Sequence, residues 1–289
     1  MAWYDKYLEV YETSYMDVSI KTKQEVIGAL KRKTSVDTPL VSIVAIAHNE
    51  ANHILSCLWS LADNICDFPI EIFVVSNAST DGTNEILDEL GAKWYHEEKK
   101  SPGYARQCGL DHARGKYYIC IDADTIYPSN YISTHLRYLQ KTNVVCTYGL
   151  WSFIPSKKYP KSKLFCYELM RDIYLSLQNI KRPEACVRGM VLAFDTELGR
   201  KVGFRNNIIR GEDGMMAFGL KKYGRLLFIK KRRARPVTST SILDGEKGIW
   251  GNFRLRLGKV IHDIGGLFTS IPYYKDQESN LVDKHKTEK

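Results

Sequence analysis

Two aspartates, Asp122 and Asp124, stand two residues apart in YYICIDADTIY, where a run of apolar and aromatic residues ends. In an extended segment residues i and i+2 point the same way, so both carboxylates can meet one ligand. Paired negative charge at the end of a buried strand costs free energy unless something positive neutralises it. A divalent cation does so: Mg²⁺ or Mn²⁺ takes one or two protein carboxylates and leaves its other positions to phosphate oxygens and water. With 17 aspartates in 289 residues, an Asp-x-Asp arises about once by chance, and the pair can equally cap the following TIYPSN turn. Its weight therefore comes from context. A second acidic feature, Glu212 and Asp213 in IIRGEDGMMAF, follows Gly211 where a helix begins. Asp213 there suits a general base that takes a proton from a hydroxyl, or an acid placed only for the helix dipole. Spacing alone does not separate the two.

The elements that must position these residues are legible from residue 40 onward. PLVSIVAIAHNE and IEIFVVSNAS are continuous apolar runs of the kind that fill strands buried on both faces. Between and after them, ANHILSCLWSLAD and STDGTNEILDELGA carry helical spacing, the second with Ser79, Thr80 or Asp81 as cap and Gly91 past its end. KWYHEE reads as a short strand, YARQCGLDHARG as a helix closed by Gly115, and KYYICIDAD as the strand that delivers the aspartate pair. Strand and helix alternating at this spacing predict βαβ units and a parallel sheet. In such sheets ligands bind outside the C-terminal ends of the strands, which is where the polar residues gather: His48, Asn49 and Glu50 after the first strand, Ser76 and Asn77 at the second, Asp122 and Asp124 at the fourth. Farther on, VVCTYGLWSFIP predicts a strand, SKLFCYELMRDIYLSLQNI an amphipathic helix, VRGMVLAFDTELGRKVGF a short strand entering a helix, GEDGMMAFGLKKYG a helix, and RLLFIKKRRARPV a basic strand.

Composition bounds the function classes. The chain is 44% apolar and 26% charged, as ordinary globular proteins are. It carries no apolar run of membrane-spanning length and no signal-peptide core at its start, so a cytoplasmic location is expected. Its seven cysteines form no CxxC pair and read as reduced core thiols. The net charge of +9 is concentrated: residues 200–259 hold 16 Lys and Arg against 4 Asp and Glu, an excess of +12. Such a region can meet anionic lipid, phosphorylated substrates or nucleic acid, but no aromatic residues are interleaved with it in a recognisable nucleic-acid module, so no nucleic-acid partner is expected. Neither GxGxxG nor GxxxxGK[ST] is present, which speaks against a nicotinamide dehydrogenase and a P-loop enzyme.

Four segments in order, VSIVAIAHNEANHILSCLWSL, IEIFVVSNASTDGTNEIL, YARQCGLDHARGKYYICIDADT and GEDGMMAFGLKKYG, resemble the family 2 glycosyltransferases. The resemblance covers roughly residues 40–230 and implies a GT-A fold, a Rossmann-like, mostly parallel sheet with helices on both faces. One catalytic domain is expected over residues 40–235, flanked by an N-terminal helical extension over 1–39, read from the spacing of Ile20, Val26, Ile27 and Leu30, and by a C-terminal helical segment with a polar tail over 236–289. The resemblance further implies transfer of a sugar, with inversion, from a nucleotide diphosphate sugar, UDP-linked above all, to the hydroxyl of a glycan or lipid-linked acceptor, in polysaccharide or glycolipid biosynthesis. Mn²⁺ or Mg²⁺ is the implied cofactor. Residue by residue, Asp213 becomes the base, Asp122 the ribose or sugar contact and a metal candidate, and Asp124 the metal ligand. Ala47, Asn49, Glu50, Asn77, Arg106, Gly189 and Glu212 join them along the donor.

Two departures from the family pattern matter. Where an aspartate pair is common after the second strand this chain has Ser76 and Asn77, so a base N–H would meet an uncharged carbonyl. Gln107 follows Arg106 where asparagine is usual, while Arg106 itself can pair with diphosphate. No QxxRW-type segment appears, which favours transfer of single sugars. The basic KKRRARP stretch and IWGNFRLRLGKVIHDIGGLF can lie on an anionic membrane at its cytoplasmic face, or cover the catalytic domain. Rival readings are a nucleotidyltransferase on a related sheet, which would need a Gly-rich basic loop in place of AHNEANH, and a protein that binds nucleotide sugar or nucleic acid without turnover.

Overall fold

The β-branched run VSIVAIA forms the strand β1, Val41–Ala47, in which every residue but Ile46 is buried. The computed structural model to which it belongs describes residues 2–34, 37–208 and 210–243. Before β1 lie two helices, α1 (Asp5–Leu8) and α2 (Ile20–Thr34). After it the chain alternates as its periodicity predicts: α3 (Ile54–Ala62), β2 (Ile70–Asn77), α4 (Thr83–Glu89), β3 (Trp94–Glu97), α5 (Pro102–His112) and β4 (Tyr117–Asp122). Beyond β4 come β5 (Thr125–Ile126), α6 (Tyr131–Leu139), β6 (Val144–Gly149), β7 (Ser152–Phe153) and α7 (Lys161–Gln178). The described chain ends through β8 (Leu192–Asp195), α8 (Thr196–Val202), α9 (Glu212–Leu220), β9 (Arg225–Ile229) and β10 (Val237–Thr238).

Seven strands form one sheet in the order β3-β2-β1-β4-β8-β6-β9. All neighbours pair in parallel except β8, which runs antiparallel to both β4 and β6. Side chains alternate across the sheet, so Ile43 and Ala45 of β1 and Ile119 and Ile121 of β4 face one core, with α3, α4 and α6, while Val44, Tyr118 and Cys120 face the other, with α5, α7 and α9. Helices thus cover both faces, and the sheet is mostly parallel.

Four details differ from expectation. The basic strand expected over RLLFIKKRRARPV is confined to β9, Arg225–Ile229, and its basic half passes through a 3₁₀ turn at Arg232–Ala234. The predicted caps of α4 give way to Gly82 in a left-handed conformation (φ 93°), while Asp81 reaches past it to accept from the backbone N–H of Thr83 at 3.0 Å. Helix α5 stops at His112, short of Gly115, because Ala113 is extended and the Arg114 N–H is drawn to Glu71 Oε1 at 2.7 Å. The single strand expected over VVCTYGLWSFIP is two, since after Gly149 the chain leaves the large sheet and β7 joins β10 and β5 in a three-stranded one.

The described parts of both flanks pack with the expected catalytic domain. Tyr7, Val10, Tyr11, Tyr15 and Val18 are buried in the same core as α3 and β1, and β10 lies past residue 235. Residues 244–289, which hold the predicted C-terminal helical segment and tail, lie outside the described residues. All seven cysteines are free thiols, four of them buried.

Candidate active site

The chain runs from β1 outward through β2 to β3 and then crosses back to set β4 on the other side of β1. That reversal opens a crevice at the C-terminal ends of β1 and β4, where Ile46 is in register with Asp122. A cavity of about 1100 Å³ lies over it, lined by Ala47, His48, Glu50, Asn77, Arg106, Asp122, Asp124, Glu212 and Asp213 among others. That is ample for a nucleotide-sized ligand. The aspartate pair of β4 and the acidic start of α9, 91 residues apart in sequence, line one space.

Arg106 of α5 organises the floor. Its side chain is 2% exposed; Nη2 donates to Asp122 Oδ1 at 2.5 Å and Nη1 to the Ile121 carbonyl at 3.1 Å. Its Nε lies 3.3 Å from Asp213 Oδ1 but forms no hydrogen bond, and both atoms remain buried without a hydrogen-bond partner among the described residues. One guanidinium is therefore shared by the two carboxylates. Arg106 lines the cavity with its guanidinium paired to these protein carboxylates.

The first turn of α9 opens after Gly211, whose φ of 99° turns the chain without a side-chain cap. Burial raises the Asp213 carboxyl above the usual carboxylate range, Arg106 opposes this, and Asp122 adds to it. Burial and the adjacent Asp213 push Glu212 up as well. Asp124 is more deeply held. Its Oδ1 accepts from Thr125 Oγ1 at 3.0 Å, and its Oδ2 from Thr238 Oγ1 and Ser239 Oγ at 3.3 and 3.2 Å. Tyr11 of the N-terminal segment donates to its carbonyl at 3.0 Å. Burial, then the charges of Asp122 and Glu50, push the Asp124 carboxyl up to about 6.

Asn77, expected to face a base, is largely occupied. Its Nδ2 donates to the carbonyls of Glu97 and Lys99 at 3.1 and 2.8 Å, and its Oδ1 accepts from Ser101 N–H at 3.0 Å. It fixes the 97–101 loop that forms one wall of the cavity. His48 donates through Nδ1 to the Asn77 carbonyl at 2.6 Å, a tautomer that follows because a carbonyl only accepts. Asn49 is not on the cavity wall. With φ 57° it turns outward, and its Oδ1 accepts from Thr80 N–H at 2.8 Å, tying the loop after β1 to the loop after β2. Gly189 lies behind the wall, donating its N–H to Asp213 and packed against Arg106. Tyr11, Thr238 and Ser239, which hold Asp124 from opposite ends of the described chain, carry no motif that would mark them.

Six carboxylates line the cavity together with the buried Arg106 guanidinium and Lys99 and Lys100, and where Asp122 and Asp124 come together, with Asp124 pushed upward by burial and then by like charge, the arrangement attracts a hard cation. Asp122 and Asp124 offer two oxygen ligands, and no third His, Cys, Asp or Glu joins them in a metal-binding group among the described residues. The set fits Mg²⁺ or Mn²⁺ that completes its shell with diphosphate and water.

Comparison with known proteins bears on the whole arrangement. The sequence profile described as Glycosyl transferase family 2 matches residues 42–194. An uncharacterized glycosyltransferase, RP339, of Rickettsia prowazekii (strain Madrid E) is 27% identical over 252 residues, covering 78% of this chain and 75% of that protein. Seven further curated relatives are spanned over only 21% to 52% of their own length. The mannosyltransferase PcManGT from Pyrobaculum calidifontis, solved with GDP-Man and Mn²⁺, superposes with a TM-score of 0.55 at 18% identity over 91% of this chain and 76% of that one. Glucosyl-3-phosphoglycerate synthase from Mycobacterium tuberculosis, solved with Mn²⁺, UDP-glucose and phosphoglyceric acid, does so with a TM-score of 0.51 at 18% identity over 89% and 86%. The fold is thus the GT-A arrangement.

Proposed function

The chain belongs to glycosyl transferase family 2, and from that premise we propose that it moves a single sugar, with inversion, from a UDP-sugar to a hydroxyl of a glycan or lipid-linked acceptor. The observation that carries the reading is the meeting of Asp122, Asp124 and Asp213 around one cavity at the β1/β4 switch point. Asp124, with Asp122, would hold Mn²⁺ or Mg²⁺, which when bound supplies positive charge to the leaving diphosphate. Asp213 acts as the base. Its raised affinity for a proton and its unsatisfied Oδ1 equip it to accept the acceptor hydroxyl's proton as that oxygen attacks. Glu212, pushed toward its neutral form, limits the repulsion beside it. Arg106 holds Asp122 and Asp213 apart and aligned. The second lone pair of Asn77 Oδ1 can accept from a pyrimidine N–H.

A panel of nucleotides and nucleotide sugars in thermal-shift format, with and without Mn²⁺, tests the donor. A ligand of the native state raises its stability by mass action. A cation-dependent shift with one base and sugar is expected, and silence across the panel sinks the reading. Asp213→Asn should keep the donor shift and lose transfer by about 10²- to 10⁴-fold, whereas Asp124→Ala should lose the cation-dependent shift itself. Intact transfer by Asp213→Asn would take that residue out of the reaction.

A further inference from the structure

Helix α7 buries Leu164, Tyr167, Arg171 and Leu175 against the sheet, and its opposite side is not polar. Phe165, Leu169, Ile173 and Leu177 are 61%, 51%, 54% and 44% exposed, and Ile180, just past the helix end, is 60% exposed. At about 100° per residue the four helical positions fall within an arc of about 120° and run for about 18 Å. Single exposed apolar residues are ordinary, but a contiguous stripe of this length marks a contact surface.

Charge identifies what it contacts. The two acids of α7 are engaged by the protein itself. Glu168 accepts from Ser152 Oγ and Phe153 N–H, both at 2.8 Å, and Asp172 pairs with Arg171 and Arg235. Lys157, Lys158, Lys161 and Lys163 are exposed at one end of the stripe and Lys181 at the other. Lys161 and Lys163 sit in the first turn of α7, which contains no acid. That is the end of a helix where its dipole disfavours cations, so folding alone does not account for them. A second copy of this face would set lysine against lysine. We propose that the α7 stripe lies in the interface of an anionic lipid bilayer, its apolar side chains among the acyl chains and its lysines at the headgroups. The inference does not depend on the donor reading, because lipid binding needs neither nucleotide nor turnover.

The test is co-sedimentation of the full chain with phosphatidylcholine vesicles and with vesicles also containing phosphatidylglycerol. Binding to the anionic vesicles, weakening with salt, is expected. Leu169→Ser with Ile173→Ser should cut it at least about tenfold, and Lys161→Glu with Lys163→Glu should erase roughly fivefold of phosphatidylglycerol preference per lysine. Both pairs are surface changes, so melting temperature and the donor-induced shift serve as controls. The inference is overturned if the full chain ignores the vesicles, or if the stripe variant binds them as before, which would place the contact elsewhere. A lowered melting temperature in a stripe variant of a chain that never bound lipid would assign the stripe to a protein segment, and loss of a dimer would assign it to a second copy.

Discussion

Gly189 shows how closely Asp213, the proposed base, is held. A Cβ at that position would land on the Arg106 guanidinium and 2.8 Å from Asp213 Oδ2, so Gly189→Ala must displace the arginine that both Asp122 and Asp213 share. The expected result is a loss of transfer of at least about tenfold, since ångström-scale misplacement of catalytic groups has effects of this order, with the donor-induced thermal shift largely retained. Transfer at the parental rate would show that Arg106 does not position the base. At this scale the sequence is uneven. Asp122, Asp124 and Asp213 stand out only through the ordered set of four segments that resembles the family, since their spacing alone leaves capping and helix-dipole readings open. Arg106 was readable as a cation but not as a buried one, because its burial depends on α5 crossing beneath the ends of β1 and β4. Asn49 has the right chemistry to touch a ligand, yet it is off the cavity wall and holds a loop N–H, and Asn77, on the wall, spends its Nδ2 on loop carbonyls and keeps one lone pair of Oδ1, which no local pattern reveals.

The elements were legible where hydrophobic period is strong. β1, β2, β4 and α3 fall where their runs predict, because strands buried on both faces and helices with one buried side leave unmistakable patterns. β7 and β10 did not, being two residues each and held by partners about 85 residues apart. The antiparallel direction of β8 is likewise set by what precedes it, not by its composition. One consequence at this scale concerns α6 and β6. His135 of α6 is fully buried against β6, its Nδ1 2.9 Å from Thr147 Oγ1, and burial alone pushes the imidazole down to about 3. An unfolded histidine titrates near 6.5, so between these values the unfolded chain binds the extra proton. The stability owed to keeping His135 neutral is present above about 6.5 and is lost as pH falls toward 3, by about 1.4 kcal/mol per pH unit, or about 2 kcal/mol at pH 5. Urea unfolding at pH 7 and pH 5 should show a pH-dependent loss smaller by that amount in His135→Gln. Equal losses in the two proteins would mean that the imidazole is not the titrating group.

At the scale of the whole molecule, segments far apart in the described chain converge on Asp124. Tyr11 arrives from the N-terminal segment, Thr238 and Ser239 from beyond β9, and all three hydrogen-bond to that one residue. The sequence pattern sets residues 1–39 apart because their apolar residues are spaced among tyrosines and lysines, without the periodicity of the sheet. Packing joins them to it: Tyr7 meets Trp59 edge-on at 5.5 Å between centroids, its hydroxyl donates to Asp63 at 2.9 Å, and the Tyr11 ring lies tilted against His53 at 4.8 Å. An appended segment could be removed without consequence for the site; a segment that completes the site's support could not. Tyr11→Ala is therefore expected to cost about 3–5 kcal/mol in urea unfolding, the range for deleting a buried aromatic ring, and to weaken the cation-dependent donor shift, because the Asp124 backbone loses its anchor. Tyr11→Phe, which keeps the ring and leaves only the carbonyl unpaired, should cost about 1–3 kcal/mol and weaken the donor shift less. Should both variants unfold and bind as the parent does, the N-terminal segment would be an extension in the plain sense, and the support of Asp124 would come from Thr125, Thr238 and Ser239 alone.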